Sequence, residues 1–235
     1  MMKRILTAVV LAALLCAAAL GGMAEGEGVV SQASCSIVPS GDYYLVYCFA
    51  QVHNASEEVI CLEEGMLSLM NGEQLLSTSD VSQIWPYFLS PGEDGYLFDI
   101  VAFEPNEDGV VVPSVSGISY DIKYMTIPTE HASRALMASA RIELDEAAED
   151  MTIVCEITNP TEMDAYDPTI SLGLYTHSGV LIYADGVTLQ HVGVPAGQTV
   201  LARFPVDSMF VQQWKTYNAL PDEARVSAVF RMDED

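Results

Sequence analysis

Basic residues are scarce in this chain: nine lysines and arginines stand against 33 aspartates and glutamates, a formal net charge of −24. A surface of that sign repels phosphate backbones and anionic lipid heads, so neither nucleic-acid partners nor membrane binding by the mature domains is expected. The bland reading of the charge is solubility, with carboxylates spread through turns; the other is a partner selected by charge. The groupings that chemistry requires are also missing. No cysteine stands in a Cys-x-x-Cys pair, which removes the simplest thiol redox motif. His53, His131, His177 and His191 are scattered, with no His-x-His or His-Glu-x-x-His spacing for a metal. No serine lies in a Gly-x-Ser-x-Gly elbow, and no glycine-rich loop feeds a helix to cradle phosphate. These absences predict a chain that is not an enzyme and needs no cofactor.

After residue 24 there is no long apolar run. Before it, Lys3 and Arg4 precede the apolar stretch Ile5 to Leu20, and Gly22-Met23-Ala24 supplies small residues for cleavage. Residues 1–24 therefore read as an export signal, giving a secreted or extracytoplasmic, cell-envelope location. The rival is a retained anchor, because the stretch approaches the ~20 residues that span a bilayer. Cleavage leaves seven basic against 33 acidic residues, and four cysteines: Cys35, Cys48, Cys61 and Cys155. Export permits disulfides; Cys35 and Cys48 could meet across a hairpin turning at Ser40-Gly41-Asp42, although sequence alone does not fix connectivity.

What is present is a repeat. At an offset of 105, Asn159 falls on Asn54, Gly197 on Gly92, Ile142 on Ile37, Leu172 on Leu67 and Leu174 on Leu69. Agreement at one offset over some sixty residues predicts two copies of one unit, residues 25–127 and 128–235, each long enough for its own small core. Met151, Ile153, Cys155 and Ile157 alternate with polar neighbours, the period of a strand with one face buried. Val46, Cys48, Ala50 and Val52 take the same face in the first copy. Further strands are expected at Met66 to Met70 and Thr169 to Tyr175, near Ile84 and Leu189, at Tyr96 to Phe103 and Val200 to Val206, and over Ile118 to Tyr124 and Ala224 to Phe230. Asp207-Ser208 followed by Met209, Phe210, Val211, Trp214 and Tyr217 predicts a short capped helix before the last strand. Short strands with frequent turns predict an all-β fold of two tandem immunoglobulin-like β-sandwiches.

The segment Leu172-Gly173-Leu174-Tyr175-Thr176, with Val154 to Pro160 before it and Val194-Pro195-Ala196-Gly197-Gln198 after it, resembles the FxLYD family of small bacterial envelope domains. Leu67 to Gly72 and Ser90-Pro91-Gly92-Glu93 carry a similar pattern in the first copy. Both depart from the name-giving motif: leucine replaces the phenylalanine, and Thr176 or Asn71 stands where the aspartate would be. The resemblance implies an immunoglobulin-like sandwich in exported or surface proteins and supplies no catalytic residues.

Two candidate sites remain. Glu162, Asp164 and Asp167 could offer oxygens to one calcium ion, although they lack the order of a calcium loop. On the outer face of the long strand the first copy has Leu45, Tyr47, Phe49 and Gln51, where the second has Asp150, Thr152, Val154 and Glu156. An apolar face of this kind requires a cover. Either the chain itself covers it, or Tyr47, Phe49, Trp85 and Tyr87 form a patch for an unknown protein partner or for self-association. The sequence thus points to a non-catalytic binding or scaffolding module; a ligand- or calcium-responsive extracytoplasmic sensor subunit is the alternative.

Overall fold

The computed structural model describes residues 28–104, 113–128, 133–145 and 150–231. The expected export segment 1–24, residues 105–112 and His131 lie outside the described residues.

In chain order the amino-terminal half contributes β1 (Gly28–Ser40), β2 (Tyr43–Asn54), β3 (Val59–Asn71), β4 (Gln74–Asp80), β5 (Gln83–Trp85), β6 (Phe88–Leu89), β7 (Asp94–Phe103) and β8 (Gly117–Ile127). The carboxy-terminal half contributes β9 (Arg134–Ala135), β10 (Met137–Asp145), β11 (Asp150–Thr158), β12 (Ala165–Tyr166), β13 (Thr169–Tyr175) and β14 (Leu181–Thr188). It continues with β15 (Gly193–Val194), β16 (Thr199–Val206), the helix α1 (Ser208–Tyr217) and β17 (Glu223–Phe230). Among the described residues every strand pairing is antiparallel, and the fold is an all-β sandwich with one helix before its last strand.

The first half stacks the sheet β1-β2-β7-β5 on a sheet in which β3 pairs with β4, β6 and β8. Val46 and Val101 from the one meet Leu67, Leu69 and Ile118 from the other. The second half is built from β10-β11-β16 and β14-β13-β17-β9, with β12 pairing β15. The expected faces are buried: Val46, Cys48 and Ala50 are fully enclosed, as are Ile153, Cys155 and Ile157. The helix starts on the Asp207 side chain, which accepts from the Met209 amide at 2.9 Å, and stops where Asn218 turns left-handed at φ 52°.

Two boundaries differ from the sequence reading. The strand expected at Met66 begins at Val59, because a register shift between Leu62 and Glu64 lets the Glu63-Glu64 pair face solvent without ending the ladder. Leu189, expected on a strand, follows β14 in a turn, where its amide bonds Pro168 O at 2.9 Å.

A hydrogen-bond set recurs 105 residues apart. The buried Asn54 side chain donates to Glu58 O at 2.8 Å and Leu89 O at 2.9 Å, and accepts from the Ser56 amide and hydroxyl. The buried Asn159 side chain donates to Met163 O at 2.7 Å and Val194 O at 2.8 Å, and accepts from the Thr161 amide and hydroxyl. The Gly92 and Gly197 amides then bond the carbonyls of Asn54 and Asn159. Each asparagine ties the end of a long strand to a turn and to a short strand.

The expectation that each half closes over a core of its own is corrected. Two clusters lie inside the first half, but the largest cluster takes Phe49 and Tyr96 from the first half into the core of the second. The reason is the apolar outer face of β2. Tyr47, Phe49 and Phe98 project from β2 and β7 onto Tyr183, Phe210 and Trp214 of β14 and α1, with Tyr47 edge-on to Phe210 at 4.9 Å and Phe49 5.4 Å from Tyr183. Glycines let the backbones close up: a Cβ on Gly186 would lie 2.5 Å from Trp85 Cγ, and one on Gly173 2.5 Å from Tyr96 Cε1. Polar bonds fix the alignment. Gln32 acts as a side-chain peptide at the edge of β14, accepting from the Leu181 amide at 3.0 Å and donating to Gly179 O at 3.2 Å. Tyr96 and Tyr175 share a hydrogen bond of 3.0 Å, and Tyr175 donates to Gln51 at 2.9 Å.

Three carboxyl groups are held above the ordinary range, in each case first by burial and against the pull of their hydrogen bonds: Glu93, Asp99 and Asp185. A raised folded-state value makes their contribution to stability complete below the unfolded pKa of about 4 and lost as pH rises through the folded values. Glu143 and Glu223, lowered first by side-chain hydrogen bonds to arginine, act in the opposite sense and below that range. The melting temperature is therefore expected to fall as pH rises from about 4 through the folded values of these groups, and Asp99→Asn to flatten that slope in calorimetry. A melting temperature that climbs over that interval would contradict this.

Candidate functional site

The four aromatic residues proposed as a patch have separate fates. Phe49 is wholly enclosed between the halves, Tyr47 is half-buried against Phe98 and Phe210, and Trp85 lies on Gly186. Only Tyr87 faces solvent, at 52 % exposure. The patch is thus not one open surface; most of it is covered by the chain itself, because β14 and α1 supply matching aromatic faces.

Tyr87 instead belongs to a groove of about 250 Å³ at the junction of the halves. The Trp85–Pro86 peptide is cis, and the turn after it is tied down by Tyr87 O, which accepts from the Leu62 amide at 2.8 Å. Opposite stands Tyr166 of β12, 61 % exposed, followed by Asp167 with φ 45°. Arg231, just past β17, lies over the Phe88 ring with its guanidinium carbon 4.2 Å from the centroid. The Thr169 and Thr188 hydroxyls, 2.9 Å apart, complete the polar side. Two accessible phenols, one cation and one carboxylate thus line one concavity.

Sequence reasoning missed Tyr166 and Arg231. A signal did exist for the first: at the offset of 105, Tyr166 falls on Cys61, and a large aromatic replacing a half-buried thiol needs somewhere to go. Arg231 carried none, since its role depends on the first half folding back to place Phe88 beneath it.

The calcium candidate is corrected. Asp164 accepts from the Ala196 amide at 2.9 Å and Asp167 from the His191 amide, so both carboxylates brace neighbouring turns. Among the described residues no three His, Cys, Asp or Glu side chains are grouped to hold a metal. Of the histidines, His53 pairs with Asp94 at 2.8 Å and His177 with Asp222 at 2.9 Å; neither pair borders the groove. Cys35 and Cys48 are register partners across β1 and β2 with no disulfide between them, and Cys61 and Cys155 are thiols as well. Burial pushes the Cys155 thiol up to about 11. Among the described residues no helix is long and apolar enough to cross a membrane.

No family model matches the chain, and no curated protein matches it. Among solved structures it is similar to the crystal structure of red sea bream transglutaminase, at 12 % identity and a TM-score of 0.23. That alignment covers 76 % of this chain and 27 % of the other, and a likeness of this size carries no argument about fold or activity.

Proposed function

We propose that this is a secreted or cell-envelope, non-catalytic binding and scaffolding protein, built from two copies of one β-sandwich unit. Its partner is a protein that inserts into the groove between the halves. The observation that carries this reading is the pair of half-exposed tyrosines, Tyr87 and Tyr166, flanking a concavity with Arg231 at its end. Tyrosine and arginine supply large contact area at low entropic cost and dominate binding hot spots. The net charge of −24 favours a basic partner and speeds its encounter. Asparagine-centred corners repeated 105 residues apart support the copied unit, and the resemblance to FxLYD envelope domains supports the location.

The test is capture from an envelope extract with the wild-type protein and with the double variant Tyr87→Ala/Tyr166→Ala, after circular dichroism shows equal melting temperatures. A protein retained by the first and lost, by at least tenfold, from the second is the expected result; each tyrosine is worth about 1–2 kcal/mol or more at a hot spot. Identical captured sets would overturn the assignment of the groove.

A further inference from the structure

The register of the first half lines up Cys35 of β1, Cys48 of β2 and Asp99 of β7 in one row across the sheet. Residues directly opposite in antiparallel strands share a face, so all three side chains point the same way. Cys48 and Asp99 are enclosed, Cys35 is half-buried, and both cysteines belong to the apolar cluster built around Val46, Leu67 and Val101. The Tyr120 hydroxyl, from the facing sheet, is buried without a hydrogen-bond partner among the described residues, and so is Oδ2 of Asp99; Oδ1 accepts from the Ser82 amide and hydroxyl at 2.8 and 3.0 Å. The corresponding row in the second half, counted from Asn159, is Ile142, Ile153 and Phe204. A sandwich of this kind therefore does not need polar atoms there.

Opposed residues in such a ladder have Cα atoms about 4.5 Å or about 5.5 Å apart, according to their place in the hydrogen-bond pattern. Both distances lie inside the roughly 4.4–6.8 Å range that a disulfide spans. The two thiols thus need side-chain rotation and no movement of the strands.

We infer that Cys35 and Cys48 form a reversible redox pair that a small disulfide oxidant converts to a cross-strand disulfide, with Asp99 taking the proton from Cys48. Accessibility sets the order. The half-exposed Cys35 thiolate attacks one sulfur of the oxidant R–S–S–R, forming Cys35–S–S–R and releasing RS⁻, which takes up the proton that Cys35 lost. Asp99 then accepts the Cys48 proton; the Cys48 sulfur attacks that of Cys35, and the second RS⁻ leaves and takes the proton on. Two thiols are oxidised, one disulfide is reduced, and two RSH are released. Burial, which raises the Cys48 thiol, makes a neighbouring acceptor necessary, and the same burial raises the Asp99 carboxyl and makes it a stronger base. The inference stands apart from the proposed location and partner, because the test supplies the oxidant.

The purified protein is incubated with oxidised glutathione at pH 8, quenched with an alkylating reagent in denaturant so that the buried thiols also react, and digested for mass spectrometry. The expected result is a cross-linked Cys35–Cys48 peptide, lighter by two hydrogens, that dithiothreitol returns to two alkylated cysteines. Cys61 and Cys155 should be alkylated throughout. The denaturant midpoint should rise on oxidation in the wild type and not in Cys35→Ala, which is fit for comparison because Cys35 is only half-buried. Asp99→Asn should slow cross-linking about tenfold or more at an unchanged end point. Complete alkylation of Cys35 and Cys48 after oxidation would overturn the redox pair; an unchanged rate in Asp99→Asn would overturn the part given to Asp99.

Discussion

Phe49→Ser is expected to cost about 4 kcal/mol or more of unfolding free energy, the largest loss from any single substitution on the outer face of β2. Phe49 has no exposed surface and touches Phe98, Tyr183 and Phe210, so the change removes an aromatic ring and places a hydroxyl where those rings met. Because its ring belongs to the core of the other half, the damage should spread: urea unfolding monitored separately in each half should lose coincidence, with the second half melting first. Tyr47→Ser, at a half-buried position, should cost less, about 1–2 kcal/mol. A Phe49→Ser protein as stable as the wild type, with altered self-association, would show instead that this face serves as an external interface.

The second large effect is expected at the asparagine corners. Asn159→Ala removes a side chain that satisfies the carbonyls of Met163 and Val194 and holds the Thr161 amide and hydroxyl, all around a fully enclosed site. Stranded buried groups cost about 1–3 kcal/mol each, so a loss of about 3 kcal/mol or more is expected in chemical denaturation. Asn54→Ala should cost a similar amount through Glu58, Leu89 and Ser56. The corners lie in different halves and share no partner, so the double variant should show costs that add to within roughly 0.5 kcal/mol. A loss below about 1 kcal/mol at either asparagine would mean that its turn is held by other bonds.

Much of the fold could be read from residues that act locally. Period-two alternation in Met151 to Ile157 fixed the buried face of β11, and Asp207 announced a helix start because its carboxylate needs only the amide two residues on. The charges of Glu63 and Glu64 hid the first half of β3, since a bulge that turns two acidic side chains outward leaves no trace in hydropathy. Association of the halves was legible only as a question. The apolar outer face of β2 demanded a cover, but nothing local said that β14 and α1 would provide it. The groove was harder still, because Tyr87, Tyr166 and Arg231 meet only once distant segments are in place. Single-position signals such as Tyr166 against Cys61 become readable only by comparing the two halves.

The Gln32 side chain that completes the edge of β14 has a consequence for how the protein can exist. Severed from the first half, the second would present an unpaired strand edge beside the bare rings of Tyr183, Phe210 and Trp214, a surface on which chains pair indiscriminately. The two segments are therefore not interchangeable beads on a string: the earlier one caps the edge and covers the rings that the later one would otherwise leave bare.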